Sequence, residues 1–161
     1  MSAPIRSQLA LITSRLTGYL DNIPDIQLQL TDTMSNSARE KHIDDTDLSV
    51  IHEITGIKGL IEQLENLNLR WQQYILSLPE DAQEAEETLY SQTAIAKSNF
   101  FQEMQRGHEA IGVLEMKRLN LNYIKNRLQL SNVDITKAPA LNAPTTMQLP
   151  KFQLPSFKER Y

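Results

Sequence analysis

Between Leu48 and Leu78 the apolar residues fall at Val50, Ile54, Ile57, Leu60, Leu64, Leu67, Trp71, Tyr74 and Leu78. Gaps of three and four residues put all nine side chains on one stripe of an α-helix. From Ile57 onward the gaps alternate between three and four, the seam of a coiled coil. A helix with such a stripe does not stand alone in water. It needs partner helices, either from the rest of the chain or from a second copy.

The flanking sequence supplies them. A first helix is expected over about 4–22, with Pro4 in its first turn, where the missing N–H costs nothing. Its stripe is Ile5, Leu9, Ile12, Leu16, Leu20 and Ile23, widened by Leu11 and Tyr19. Pro24 then breaks or kinks it. A helix could resume over 25–34, although the i, i+2 spacing of Ile26, Leu28 and Leu30 serves one helical face poorly. The polar stretch 35–47 reads as a mobile connection, with Thr46 or Asp47 capping a second helix over 47–78.

Pro79 opens a third helix, expected over 80–130. Glu80, Asp81, Glu84, Glu86 and Glu87 meet the positive end of its dipole. These acids read as a solvated helix start rather than a metal site, because they point in several directions around the turn. The third stripe is Leu89, Thr93, Ala96, Phe100, Met104, Ile111, Leu114, Leu121, Ile124 and Leu128. Gly107 and Gly112 interrupt it, marking a bend or a close helix approach. Arg118 sits where the stripe calls for an apolar residue. The short joint at Pro79 makes the second and third helices antiparallel neighbours.

The expected fold is therefore all-α. It is a long antiparallel helical hairpin or coiled coil with an additional N-terminal helix, three-helix bundle-like, over 1–131. Pro139, Pro144, Pro150 and Pro155 punctuate the C-terminal stretch, so 132–161 reads as a Pro-rich linker and extended tail.

Composition narrows the classes. The chain has no cysteine, which removes disulfides, zinc knuckles and thiol catalysis and fits the cytoplasm or nucleus. No apolar run approaches the ~18 residues of a membrane span, and the first residues do not read as a secretory signal. The net charge of −4 is uneven. From Glu115 onward eight Lys/Arg stand against three Asp/Glu, and the preceding part is acidic. Lys117, Arg118, Lys125 and Arg127 are thus candidate RNA contacts, weak and salt-dependent.

For chemistry the sequence offers little. His42, His52 and His108 are not paired with an acid or another His at ligand spacing, so each reads as a surface or boundary residue. No phosphate loop, nucleophile elbow or paired catalytic carboxylate is present. The expectation is a non-enzyme with no catalytic residue, metal or cofactor. Trp71, Tyr74 and Phe100 lie on the stripes and read as core rather than as a platform for stacked bases. Phe101 flanks its stripe and is a candidate intermolecular contact. Self-association is expected through Ile57, Leu60, Leu64, Leu67, Trp71, Tyr74, Phe100, Met104, Ile111, Leu114 and Leu121.

The most specific motif is in the tail, where LPKFQ and LPSFK repeat over 149–158. Leu149/Leu154, Pro150/Pro155 and Phe152/Phe157 match in register. Proline at this spacing holds the backbone extended and presents Leu and Phe as docking anchors. Leu149, Pro150, Lys151, Leu154, Pro155 and Phe157 resemble a motif in Gag of BEL/Pao-type LTR retrotransposons. There a helical N-terminal segment and a Pro-rich link precede the capsid-like part that this motif opens. About a dozen residues carry the match. The family continues with a small residue or Gly and then an aromatic, where this chain has Lys158, Glu159, Arg160 and Tyr161.

The resemblance implies an N-terminal Gag segment, or a host gene derived from one, whose role is assembly of particles with itself and other Gag segments. Read without the resemblance, the helical body is a scaffold, and Leu149, Pro150, Phe152, Leu154, Pro155 and Phe157 dock into a partner protein. RNA binding through the basic end is the third reading.

Overall fold

A computed structural model describes residues 2–97 and 99–136, the last four of these by backbone alone. Every regular element among them is helical, as the apolar spacing requires: α1 (Ala3–Asp21), α2 (Asn36–Leu76), α3 (Glu80–Ile95) and α4 (Phe100–Thr136). None is long and apolar enough to cross a membrane.

α1 carries Pro in its first turn and ends where the Asn22 side chain donates to the Gly18 carbonyl at 2.7 Å, just before Pro24. The chain then runs without regular secondary structure over 23–30 rather than as a resumed helix. Ile26, Leu28 and Leu30 are each half-buried and the residues between them exposed. An extended strap needs that period of two, and a helix cannot use it.

α2 starts eleven residues earlier than the 47–78 span expected from sequence. Ser35, not Thr46 or Asp47, is the cap, its hydroxyl accepting from the Ala38 N–H at 3.2 Å. The stretch 35–47, expected as a mobile connection, forms its first three turns. Polarity misled because a helix packed along one side tolerates polar residues everywhere else, and Ile43 supplies the buried face.

The long third helix is also corrected. It is two helices, α3 and α4, separated at 96–99. Ala96 is extended (φ −59°, ψ 152°). Asn99 caps α4, its Oδ1 accepting from the Gln102 N–H at 2.9 Å while its Nδ2 donates to the Ala96 carbonyl at 3.0 Å. The stripe Thr93, Ala96, Phe100 keeps its spacing across the gap, so periodicity alone did not show the break.

α2 and α4 run antiparallel, with Asp44 beside Lys125, Asp47 beside Arg118, and Gly107 against Ile57 and Ile61. α1 lies on both, antiparallel to α2. Leu9, Ile12 and Leu16 join Ile43, Val50, Ile54, Ile57, Ile61, Leu64, Leu67, Trp71 and Ile75 and the α4 residues Phe100, Ile111, Leu114 and Leu121 in one core. Because α2 meets α1 on one side and α4 on the other, its buried stripe is wider than one seam. Ile61 and Ile75 are inside, whereas Leu60, Tyr74 and Leu78 are half-buried at the edge.

Two glycines set these approaches. A Cβ on Gly107 would lie 2.8 Å from Cδ1 of Ile61, and one on Gly56 would lie 2.3 Å from the Tyr19 hydroxyl. Gly107 thus marks the close helix approach; the bend lies elsewhere, at 96–99. Burial pushes the Tyr19 hydroxyl up to about 12, reinforced by its hydrogen bond to Glu53 and that carboxylate's charge. Gly56→Ala is expected to destabilise by about 1–3 kcal/mol through overpacking, and to return the Tyr19 titration toward 10. Gly59→Ala, with nothing within 4 Å of the added carbon, is expected to stabilise by up to about 1 kcal/mol through helix propensity. Urea unfolding of the pair checks this; a common sign would contradict the packing of α1 on α2.

Candidate interaction surfaces

Two heptad lines on each long helix organise the packing between them, with the Lys58–Glu115 ion pair at 3.6 Å outside the lines. On α2, Asn36, Ile43, Val50, Ile57, Leu64 and Trp71 recur every seven residues, and Asp47, Ile54, Ile61, Asn68 and Ile75 form the second line. On α4 the lines are Phe100, Gly107, Leu114, Leu121, Leu128 and Met104, Ile111, Arg118, Lys125, Asn132. Each polar residue that interrupts the apolar lines meets a partner on another helix. Arg118 donates through Nε and Nη2 to the two carboxylate oxygens of Asp47, at 2.8 and 3.2 Å. Lys125 Nζ reaches Asp44 at 2.6 Å, and the Asn36 amide donates to Asn132. Tyr90 of α3 donates to Asn68 Oδ1 at 2.8 Å.

The candidate RNA contacts are therefore already engaged. Lys117 lies 3.6 Å from Asp25, and Arg127 sits over the Tyr123 ring at 5.8 Å. Its hydrogen bonds to Asp47 hold Arg118 above its ordinary range, as the one donated to Asp44 does for Lys125. Of the basic end seen in the sequence, Lys117, Arg118 and Lys125 are matched by carboxylates of α2 and the strap, and Lys137, Lys151, Lys158 and Arg160 lie outside the described residues.

Of the residues expected to mediate self-association, Ile57, Leu64, Leu67, Trp71, Phe100, Ile111, Leu114 and Leu121 are buried by the chain's own helices. Leu60, Tyr74 and Met104 are partly buried against the same core. Phe101 is 40% exposed, its ring 4.2 Å from that of Phe100. The tail residues Leu149, Pro150, Phe152, Leu154, Pro155 and Phe157 lie outside the described residues.

Trp71 is fully buried where α3 crosses α2. Its indole N–H donates to Glu86 Oε1 at 2.8 Å, and Tyr90 meets its ring edge-on at 5.1 Å. Burial alone would raise the Glu86 carboxyl. Hydrogen bonds from Ser2 and Trp71, and the charge of Arg6, outweigh it and hold the group below its ordinary 4.5. Glu86 thus turns inward from the acidic run and ties α3 to α1 and α2. Arg106 makes a comparable tie, reaching Glu103 at 2.8 Å and Asp21 of α1 at 2.9 Å. His42, His52 and His108 are all exposed. Among the described residues no group of three His, Asp or Glu is placed to hold a metal ion.

The surface missed by the sequence reading is the outward face of α4. Val113, Met116, Leu119, Tyr123 and Leu130 are all large, apolar and exposed there. Their spacing was legible, but a second stripe is recognisable as unpartnered only once the first has been assigned to the core.

Two outcomes test this account. Because Glu86 is depressed in the folded state, its contribution is present above pH about 4.5 and disappears as pH falls through the folded value. The stability gap between the native chain and Glu86→Gln is expected to close below that pH, as followed by urea midpoints; a constant gap would remove the Glu86 tie. For the seam pair, Arg118→Leu alone is expected to cost more than Arg118→Leu with Asp47→Leu. The expected coupling is about 1 kcal/mol, kept small by solvent screening. Additive losses in a double-mutant cycle would contradict the pairing.

Compared with family models, with curated proteins and with solved structures, the chain matches none.

Proposed function

We propose that the chain is a non-enzymatic, Gag-like assembly module acting in the cytoplasm. Its helices self-associate in the formation of retrotransposon particles. In this reading α2 and α4 form a coiled-coil hairpin, α1 completes a three-helix bundle, and α3 latches the end that holds Trp71. The observation that carries it is the apolar surface left over once the core is closed. Monomeric soluble proteins rarely keep a long contiguous apolar stripe in water, and such stripes mark protein contacts. On α4 the exposed stripe runs from Val113 to Leu130. The tail motif 149–158, with its resemblance to the BEL/Pao Gag motif, supports the particle context. The tail also motivates the adaptor reading, in which Phe152 and Phe157 anchor in another protein.

The association draws on the apolar surface left exposed, on α4 and elsewhere, and not on the core residues. Light scattering over a wide concentration range is expected to show a mass above that of one chain, falling toward one chain on dilution. A strict monomer at the highest concentrations would overturn the assembly reading. A pull-down lost in Phe152→Ala with Phe157→Ala, at unchanged mass, would favour the adaptor.

A further inference from the structure

The exposed α4 face has a register of its own. Gly112, Met116, Leu119, Tyr123, Asn126 and Leu130 follow one another at gaps of four, three, four, three and four residues. That is the spacing of a helix seam. It lies about two residues, or roughly 200°, away from the core line through Leu114, Leu121 and Leu128, on the opposite side of the helix. Val113, Met116, Leu119, Tyr123 and Leu130 are between 59% and 67% exposed. Heptad spacing is what another helix requires; an extended peptide reads alternate residues instead.

Gly112 adds an independent observation. A glycine inside a helix costs about 1 kcal/mol against alanine. At Gly107 and Gly56 the chain's own packing explains it. At Gly112 an added Cβ would meet nothing within 4 Å. Gly18 and Gly59 are equally open, but neither lies on an exposed apolar seam. At Gly112 the missing side chain leaves room on the outward face for something arriving from outside.

We infer that a second copy of this chain covers the face, with the two α4 helices antiparallel. The inference rests on the assembly reading and specifies its contact. In an antiparallel seam the two kinds of position pair across the axis. Setting Leu119 against the partner copy's Tyr123, and the reverse, fixes the other layers. Met116 meets Asn126, and Leu130 fills the space over Gly112. The largest end residue thus meets the smallest, twice, by one twofold axis. A parallel pair would place Gly112 against Gly112 and leave that space empty. Antiparallel order also opposes the helix dipoles. Five large exposed side chains from each copy supply roughly the 1,000 Å² that a specific interface needs. No like charges oppose one another along the flanks, where Asn120 and Asn122 each meet their own copies.

The absence of cysteine from the sequence makes the test direct. Under mild oxidation, Leu119→Cys chains mixed with Tyr123→Cys chains are expected to form the mixed disulfide dimer faster than either forms its own. Leu119→Cys linking to itself as readily would overturn the antiparallel register. Leu119→Lys with Tyr123→Lys changes exposed positions and is expected to keep the helical circular dichroism. It should raise the dimer dissociation constant at least about tenfold. Undiminished association in that variant would overturn this inference while leaving the assembly reading standing; a native chain that never associates overturns both. Dimers that appear only in Phe152→Ala with Phe157→Ala would assign the face to the chain's own tail and overturn the second copy.

Discussion

The register between α2 and α4 is set by charge placed where the heptad lines call for grease. A purely apolar seam has many near-equivalent alignments, each one heptad from the next. Arg118 and Lys125 stand seven residues apart on α4, facing Asp47 and Asp44. Sliding the pair by a heptad would put Arg118 opposite Ile54 in one direction and Asp47 opposite Ile111 in the other. Exposed ion pairs add little net stability, but the penalty of an unpaired charge in a seam is larger, and it falls on the wrong alignments. The Asn36–Asn132 and Asn68–Tyr90 contacts extend the same device toward the two ends. The remaining packing depends on that alignment, because only in this register does Gly107 sit opposite Ile57 and Ile61.

This division of labour gives the molecule two different halves. Near Trp71, three helices and α3 enclose an apolar core. Toward Asn36, α1 has ended and only the strap accompanies α2 and α4, so polar pairs flank the apolar layers of Ile43, Val50 and Leu121. The outward α4 stripe lies along this thinner half. A second helix there would thicken the part of the rod that the chain alone leaves thin, which links the fold's asymmetry to the proposed role in assembly.

Much of this was legible in the sequence, for reasons specific to particular residues. The run from Val50 to Trp71 is helical by spacing alone, and Pro24 and Pro79 end helices because neither can donate to the ladder. Arg118 already stood out as a charge on an apolar line. What sequence did not reveal was its partner, because Asp47 lay in a stretch that polarity suggested was loop. Recognising one required the other. The break at 96–99 was hidden for a different reason. A cap such as Asn99 acts through one side chain, whereas the stripe it interrupts is averaged over many residues. The alternation of Ile26, Leu28 and Leu30 did carry the strap's period, but three residues are too few to outweigh a helical neighbourhood. Site residues were least legible. The core stripe was readable, but its assignment to internal or external contact depends on how many helices the chain brings to it.

Trp71 is the only tryptophan in the chain, and it lies at the joint where α3, α2 and Ser2 of the N-terminal end converge on Glu86. α3 has no fully buried residue of its own, so it is the helix with least apolar anchoring and the first expected to open locally. The indole there rests against a carboxylate, whose departure would change its emission colour and intensity. The molecule therefore carries a built-in optical gauge of α3 docking, separate from the melting of the long helices.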